Sequence, residues 1–393
     1  MKISTSGSPL QDTPAAISNV LASLDTHNPN YVVVHMAAGH NPNDVRDAIR
    51  AKFGPDTAIH GGTSCLGVMT HNGAFIENGQ GLGIAAFEDE DGDFGVGLED
   101  MGNDPRAAAS RATEKALIAA GRAGEAPELI WLTAAPGSEE AVLAGVEDVV
   151  GRRVKIVGGS AADNTIAGEW FVFDGDTMAP NGVIVSVLFP STDSQSTYQS
   201  GYAPAGKSGV VTKVAGRRVY EIDHRPARQV YAGWTGHTVA AKTPEQAEPI
   251  LADSTFAPLG RKSTAVADVP FYLLAHPATS HPDDSLELFA DVDEGEELFL
   301  MVGGVDSLTS RASRVAAQAA EMAGGPVAGA LVVYCGGCML AVQDHMDQVA
   351  SGINHALSGA PFLGVFTFGE QGPVLNEDNR HGNLMISCVT FNA

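Results

Sequence analysis

Cys335-Gly336-Gly337-Cys338 places two thiols at CxxC spacing between a strand-like run, Ala330 to Tyr334, and a helical pattern carried by Val342, Met346, Val349 and Ile353. A cysteine at a helix N-terminus has its thiolate favoured by the backbone dipole, which suits disulfide exchange or half of a metal site. A lone CxxC without a second pair at metal spacing specifies neither chemistry, and small residues packed in a ligand loop account for it more simply. Cys65 closes the run Ile59-His60-Gly61-Gly62-Thr63-Ser64-Cys65 and would act as a nucleophile only with His40, His60 or His71 beside it as base. Glu370, after Gly369, can receive an ammonium group or act as an acid or base, against a bland role as a solvated turn residue. His381 follows in the next hairpin.

These residues need elements to hold them, and the chain writes the same elements three times. Tyr31 to Met36, Leu129 to Leu132 and Ala330 to Tyr334 are apolar runs without alternation, as in strands buried on both faces. Each is followed by an amphipathic helix and a second strand that enters a glycine-bearing stretch: Gly61-Gly62, then Gly158-Gly159-Ser160 with Asn164 beyond, then more loosely Gly364. From Val32 to Gly61 (61 − 32) and from Leu129 to Gly158 (158 − 129) the interval is 29 positions, and from Leu331 to Gly364 (364 − 331) it is 33. Repetition at this spacing marks a duplicated βαβ unit, and the glycine pairs read as tight turns into a hairpin. Glycine there serves either the turn itself or close approach of backbone amides to a ligand. The expected fold is α/β, with two domains, 1–222 and 223–393, built from repeated βαβ-plus-hairpin units around mixed sheets. A ligand cleft lies between or within them, lined by the loops His35 to His40, Thr133 to Ser138 and Tyr334 to Met339 at the C-terminal ends of the parallel strands.

Composition narrows the function. The 393 residues carry 47 acidic against 23 basic side chains, a net of −24, which opposes binding to nucleic acid phosphates and anionic membranes. No apolar run is long enough for a membrane span or a signal peptide, so the expected protein is soluble and cytoplasmic. Four cysteines in a chain this long predict free thiols rather than a disulfide scaffold. No Walker phosphate loop is present, and no glycine stretch fits the GxGxxG fingerprint with a following helix, which disfavours nucleotide use.

Val157-Gly158-Gly159-Ser160-Ala161-Ala162-Asp163-Asn164, the later Val211-Thr212 and Val219-Tyr220-Glu221-Ile222-Asp223, and Cys335, Gly364 and Phe368-Gly369-Glu370 together resemble the FIST proteins, over nearly the whole chain. That resemblance implies an intracellular signal-input module that binds a small ligand, amino acids being often proposed. Some members resemble haem-binding nitric oxide sensors acting on histidine kinases. Two departures stand out: the arginine of the family's cysteine, small, glycine, arginine pattern is Cys338 here, and an arginine expected near Leu273-Leu274-Ala275-His276 is absent. The reading is therefore a stand-alone sensory protein that binds a small molecule and signals to a separate partner. Its expected ligand-binding set is His40, Gly61, Gly62, Cys65, Gly158, Gly159, Ser160, Asn164, Cys335, Gly336, Cys338, Glu370 and His381. A haem-based nitric oxide sensor and an enzyme with a cysteine nucleophile and a glutamate or histidine acid/base are the alternatives.

Overall fold

The computed structural model of the protein describes residues 1–266, 269–375 and 378–393. Its first unit opens with edge strand β1 (Lys2–Ser8) and helix α1 (Thr13–Ser23), started by Asp12, whose side chain accepts from Ala15 N at 2.9 Å. Strand β2 (Tyr31–Met36), helix α2 (Pro42–Phe53) and strand β3 (Ala58–Thr63) form the βαβ core, with Gly54 at φ +95° ending the helix. A hairpin of β4 (Val68–Thr70) and β5 (Gly73–Phe75) follows, and β6 (Leu82–Glu88) returns between β1 and β2.

The second unit repeats the order: β7 (Asp93–Asp100), α3 (Pro105–Ala119), β8 (Leu129–Ala134), α4 (Glu139–Val150), β9 (Lys155–Ser160), the hairpin β10 (Val172–Phe173) and β11 (Met178–Ala179), then β12 (Gly182–Phe189). The third begins with β13 (Ser194–Ser200) and is interrupted. The insertion holds β14 (Ala203–Ala215), β15 (Arg218–Ile222), β16 (Arg225–Pro226), α5 (Ala227–Trp234), β17 (Glu248–Pro249), α6 (Leu251–Ser254), β18 (Leu259–Val266), β19 (Val269–Ala275), β20 (Pro277–Ser280), β21 (Leu286–Leu288) and β22 (Glu297–Val302), in one nine-stranded sheet. Val211, Ile222, Tyr231, Leu259, Leu286 and Leu298 give it a core of its own. The third unit then resumes with α7 (Val305–Ala323), β23 (Val327–Cys335), α8 (Gly336–Ala341), α9 (Met346–Ala356), β24 (Phe362–Thr367), the hairpin β25 (Glu370–Val374) and β26 (Asp378–Gly382), and β27 (Met385–Asn392).

The three units thus form three separate sheets, β1-β6-β2-β3, β7-β12-β8-β9 and β13-β27-β23-β24, each with the same strand order. Each parallel pair leaves an open edge on its second strand, and a neighbour's hairpin covers it. Hairpin β10–β11 of the second unit pairs with β3 of the first (Val172 opposite Gly62), β25–β26 of the third pairs with β9 of the second (Glu370 opposite Gly159), and β4–β5 of the first pairs with β24 of the third (Met69 opposite Gly364). The exchange is cyclic, and it removes three unpaired edges that would otherwise invite aggregation. Sheet membership crosses position 222 repeatedly as a result.

Inner faces of the three sheets meet in one core of Tyr31, Val33, Leu129, Trp131, Leu331 and Val333, closed by Phe87 and Phe391. Helices cover the outer faces: α1 and α2 on the first sheet, α3 and α4 on the second, α7 and α9 on the third. Among the described residues no helix is long and apolar enough to cross a membrane.

The glycine pairs are corrected by this architecture. Gly61 and Gly62 lie inside β3, Gly158 and Gly159 inside β9, and Gly364 inside β24. What requires glycine is close packing: a Cβ on Gly61 would stand 2.3 Å from the Phe173 ring, on Gly158 1.9 Å from Leu132 O, on Gly159 2.4 Å from Thr367 Cγ2, and on Gly364 2.5 Å from Met69 Cγ. Inner-face alternation from Val365 places Thr367, not a glycine, at the position matching Gly62 and Gly159.

Candidate functional site

The parallel strands β3, β9 and β24 end at one place, where their exits are bonded to one another. Cys65 N donates to Phe366 O (3.0 Å), Ala162 N to Thr63 O (3.1 Å) and Ser160 N to Gly369 O (2.7 Å). This ring brings Cys65, Cys335, Gly336 and Glu370 together beneath the surface: a Cβ on Gly336 would lie 3.4 Å from Cys65 Cβ and 3.2 Å from Thr367 O. The expected activation of the thiols is reversed there. Burial pushes Cys65 up to about 12, with Asp163 and Cys335 adding to it. Burial raises Cys335 well above its ordinary value, and Cys338 reinforces the shift, so the start of a six-residue helix does not make a thiolate.

Glu370 is likewise no turn residue. It is fully buried, its Oε1 2.9 Å from Thr367 Oγ1 and its Oε2 accepting from Met385 N at 2.9 Å. Burial raises its pKa well above the carboxylate range, and Cys335 adds to the rise, so Glu370 is an interior neutral acid that locks the start of β27 to the end of β24. Cys338 is buried with its Sγ 3.6 Å from Tyr202 Oη. His40 and Asn164 stand apart from this group. His40 Nδ1 meets Thr13 Oγ1 at 3.0 Å and its Nε2 donates to Gln80 O at 2.7 Å. Asn164 accepts from Leu66 N (2.8 Å) and donates to Gly79 O (2.9 Å), joining a loop of the second unit to the first.

Ser160 and His381 lead toward solvent. Ser160 Oγ donates to Glu139 Oε1 at 2.7 Å, and Glu139, the first residue of α4, is only 3% exposed. Arg217, at the tip of the β14–β15 hairpin of the insertion, places Nη2 2.7 Å from Glu139 and 2.8 Å from Glu140, with Nε 3.0 Å from Asp291. Burial works to raise Glu139, yet His381, Arg217 and Ser160 together bring it down to about 2. Glu139, Glu140 and His381 bring a ligand atom each within 4.8 Å of one another, a spacing that suits a metal. The cation those carboxylates hold here is the Arg217 guanidinium, so the group acts as an ionic latch between the three-unit body and the insertion. His381 Nε2 donates to Phe289 O at 3.2 Å, a second tie to the insertion.

Above the latch a cavity of about 310 Å³ opens between α4, the β25–β26 hairpin and the insertion. Glu140, Glu147 and Glu296 line it together with Arg261, Arg380 and His381, an assembly of both signs. Among the described residues histidine lines two cavities, His71 one of about 300 Å³ and His381 the cleft itself. Cavities of about 740 and 630 Å³ have no histidine in their walls. His381 is committed to Phe289 O, and His60 lies inside the core between Ser186 Oγ (2.7 Å) and Thr133 Oγ1 (2.9 Å).

A three-fold repeat of βαβ units with exchanged hairpins, carrying an inserted sheet latched over one unit, defines a two-part α/β architecture. Residues 30–225 match the FIST N domain and residues 227–373 the FIST C domain, and the chain belongs to the FIST family. Uncharacterized proteins of Mycobacterium bovis and Mycobacterium tuberculosis are 26% identical over 231 residues, a match spanning 58% of this chain and 58% of theirs. A crystal structure of cyanuric acid hydrolase from A. caulinodans aligns over 100% of this chain and 99% of its own at 7% identity and a TM-score of 0.38, too remote to inform function.

Sequence reasoning missed Glu139, Glu140 and Arg217. The available signal was a paired acid directly after a strand-exit loop, together with an arginine pair, Arg217-Arg218, beside Gly216 at a hairpin tip.

Proposed function

We propose that the protein is a sensory module of the cytoplasm that binds a small zwitterionic metabolite, of amino-acid type, in the cleft above the Arg217 latch and signals to a separate partner. The observation that carries this reading is the mixed charge of the cleft. Arg261 and Arg380 can receive a carboxylate while Glu140 and Glu147 receive an ammonium group, all from one lining. The arginine lacking near Leu273 has a counterpart across the ladder, because Arg261 on β18 pairs with Leu273 on β19. FIST domains are associated with small-ligand sensing in signal transduction, which supports a small-molecule ligand; a histidine kinase is the partner we propose.

A ligand shifts a two-state equilibrium only by binding one state better than the other. The cleft walls come from both the three-unit body and the insertion, so a ligand spanning them favours the closed arrangement that the latch already holds. An enzyme with a cysteine nucleophile draws no support from buried thiols raised above the usual range.

The test is a thermal-shift screen of the full chain against the amino acids and related zwitterions, followed by calorimetry. A hit should weaken at least about tenfold in Arg261→Gln or Arg380→Gln, the loss expected for a charge-assisted contact. If no zwitterion raises the melting temperature, or a hit binds both variants unchanged, the reading fails.

A further inference from the structure

A second cavity of about 310 Å³ lies between β13, β19, α7 and the end of β25. Its walls are Tyr202, Phe271, Tyr272, Met322 and Leu375, and Arg311 of α7 reaches it, with Ser196 and Gln199 of β13. Chemically it differs from the first cleft. Among the described residues, no carboxylate lines it and none lies within ion-pair distance of Arg311.

Arg311 Nη2 is bonded instead to the neutral Gln199 Oε1. Its Nε is buried with no partner. Buried donors left unpaired cost free energy that an acceptor of matching geometry recovers. Burial, with Arg314 nearby, depresses the Arg311 pKa, so what the guanidinium lacks is an anion. The flat Phe271 and Tyr272 rings offer apolar faces, and among the described lining residues there is no acid to receive an ammonium.

We propose that this pocket is a second small-molecule site, taking an organic carboxylate with a flat apolar body and no ammonium group, held by Arg311 between the aromatic walls. The site is independent of the zwitterion cleft and does not rest on that reading.

The experiment is saturation-transfer NMR with calorimetry on the full chain, using benzoate, its neutral analogue benzamide, and benzylamine. Benzoate should bind saturably, with benzamide at least about tenfold weaker and benzylamine undetected, as the charge-assisted contact requires. Arg311→Gln should lose about tenfold or more, Arg311→Lys should keep part of the affinity, and Tyr272→Ala should weaken binding through the apolar wall. Arg380→Gln, in the other cleft, should leave benzoate binding unchanged. Absence of saturable benzoate binding overturns the proposal, as does equal binding of benzoate and benzamide. So does an Arg380→Gln loss without an Arg311→Gln loss, which would move the ligand to the first cleft. A melting curve of each variant shows that it is folded, and Arg311→Lys supplies the milder change should Arg311→Gln unfold.

Discussion

Arg217 Nη2 lies 2.7 Å from Glu139 Oε2, although the two belong to different parts of the molecule, and both are largely buried, at 16% and 3% side-chain exposure. Breaking such a pair strands a charge. Arg217→Met is expected to cost about 3 kcal/mol, because Glu139 would remain buried without its main cation. The double variant Arg217→Met with Glu139→Gln should recover most of that loss. Urea denaturation of the four proteins in the cycle measures the coupling, and additive losses would show that the pair does not act as a latch.

Acid should release the same contact. Glu139 has a folded pKa of about 2 against an ordinary value of 4.5, so its contribution is present above about pH 4.5 and is lost as pH falls from there toward 2. Glu139→Gln should therefore flatten the acid limb of the stability profile. A wild-type and variant pair with parallel profiles between pH 5 and 2.5 would contradict this.

Glu370 works in the opposite direction. Its folded pKa is raised, so its contribution is complete below the ordinary value of 4.5 and declines as pH rises from there toward the folded pKa. Glu370→Gln keeps an acceptor for Met385 N and is neutral at every pH. It should match wild type near pH 4 and exceed it at pH 7 to 8. Chemical denaturation across that range decides the matter, and a difference independent of pH would remove the neutral-acid assignment.

Strand glycines should differ by what they touch. Gly158→Ala drives a methyl to 1.9 Å from Leu132 O in the neighbouring strand, where backbone cannot yield, and should cost about 3 kcal/mol or more. Gly61→Ala meets the Phe173 ring at 2.3 Å, which can turn aside, and should cost about 1–2 kcal/mol. Gly325→Ala, with nothing within 4 Å, is the control. Equal urea midpoints for all three would show that packing does not explain the glycines.

All four cysteines are buried, and burial raises Cys65 and Cys388 to about 12. A thiol reagent at pH 8 should leave the folded protein unmodified for hours and label four groups in denaturant. Rapid labelling of one thiol in the native state would restore a reactive cysteine.

Much of the fold is legible locally. Tyr31 to Met36 is apolar without alternation and becomes a strand buried at every position. The helix opened by Asp104-Pro105 forms with its Asp104 cap, and three strand-helix-strand copies are present as the repeat predicts. Local reading failed where a partner was distant. Gly-Gly signals a turn when only neighbours are counted, but Gly61 was selected by Phe173 and Gly158 by Leu132, contacts made across a sheet. Glu370 looked like a solvated turn because its run is polar, yet its hydrogen bonds come from Thr367 and Met385 in a closed interior. Among the proposed site residues, only His381 reaches the cleft, while Ser160 supports it from beneath and Cys65, Cys335 and Glu370 lie in the core.

The CxxC, the glycine pairs and the βαβ periodicity were set by the sequence itself, because propensity, capping and face alternation act within a few residues. Hairpin exchange, the burial of the thiols and the meeting of Arg217 with Glu139 across 78 positions were decided only in three dimensions. Pairing of a free sheet edge depends on which edge the folded chain presents to it, and a pKa depends on who surrounds the group. Neither quantity is a property of neighbours in sequence.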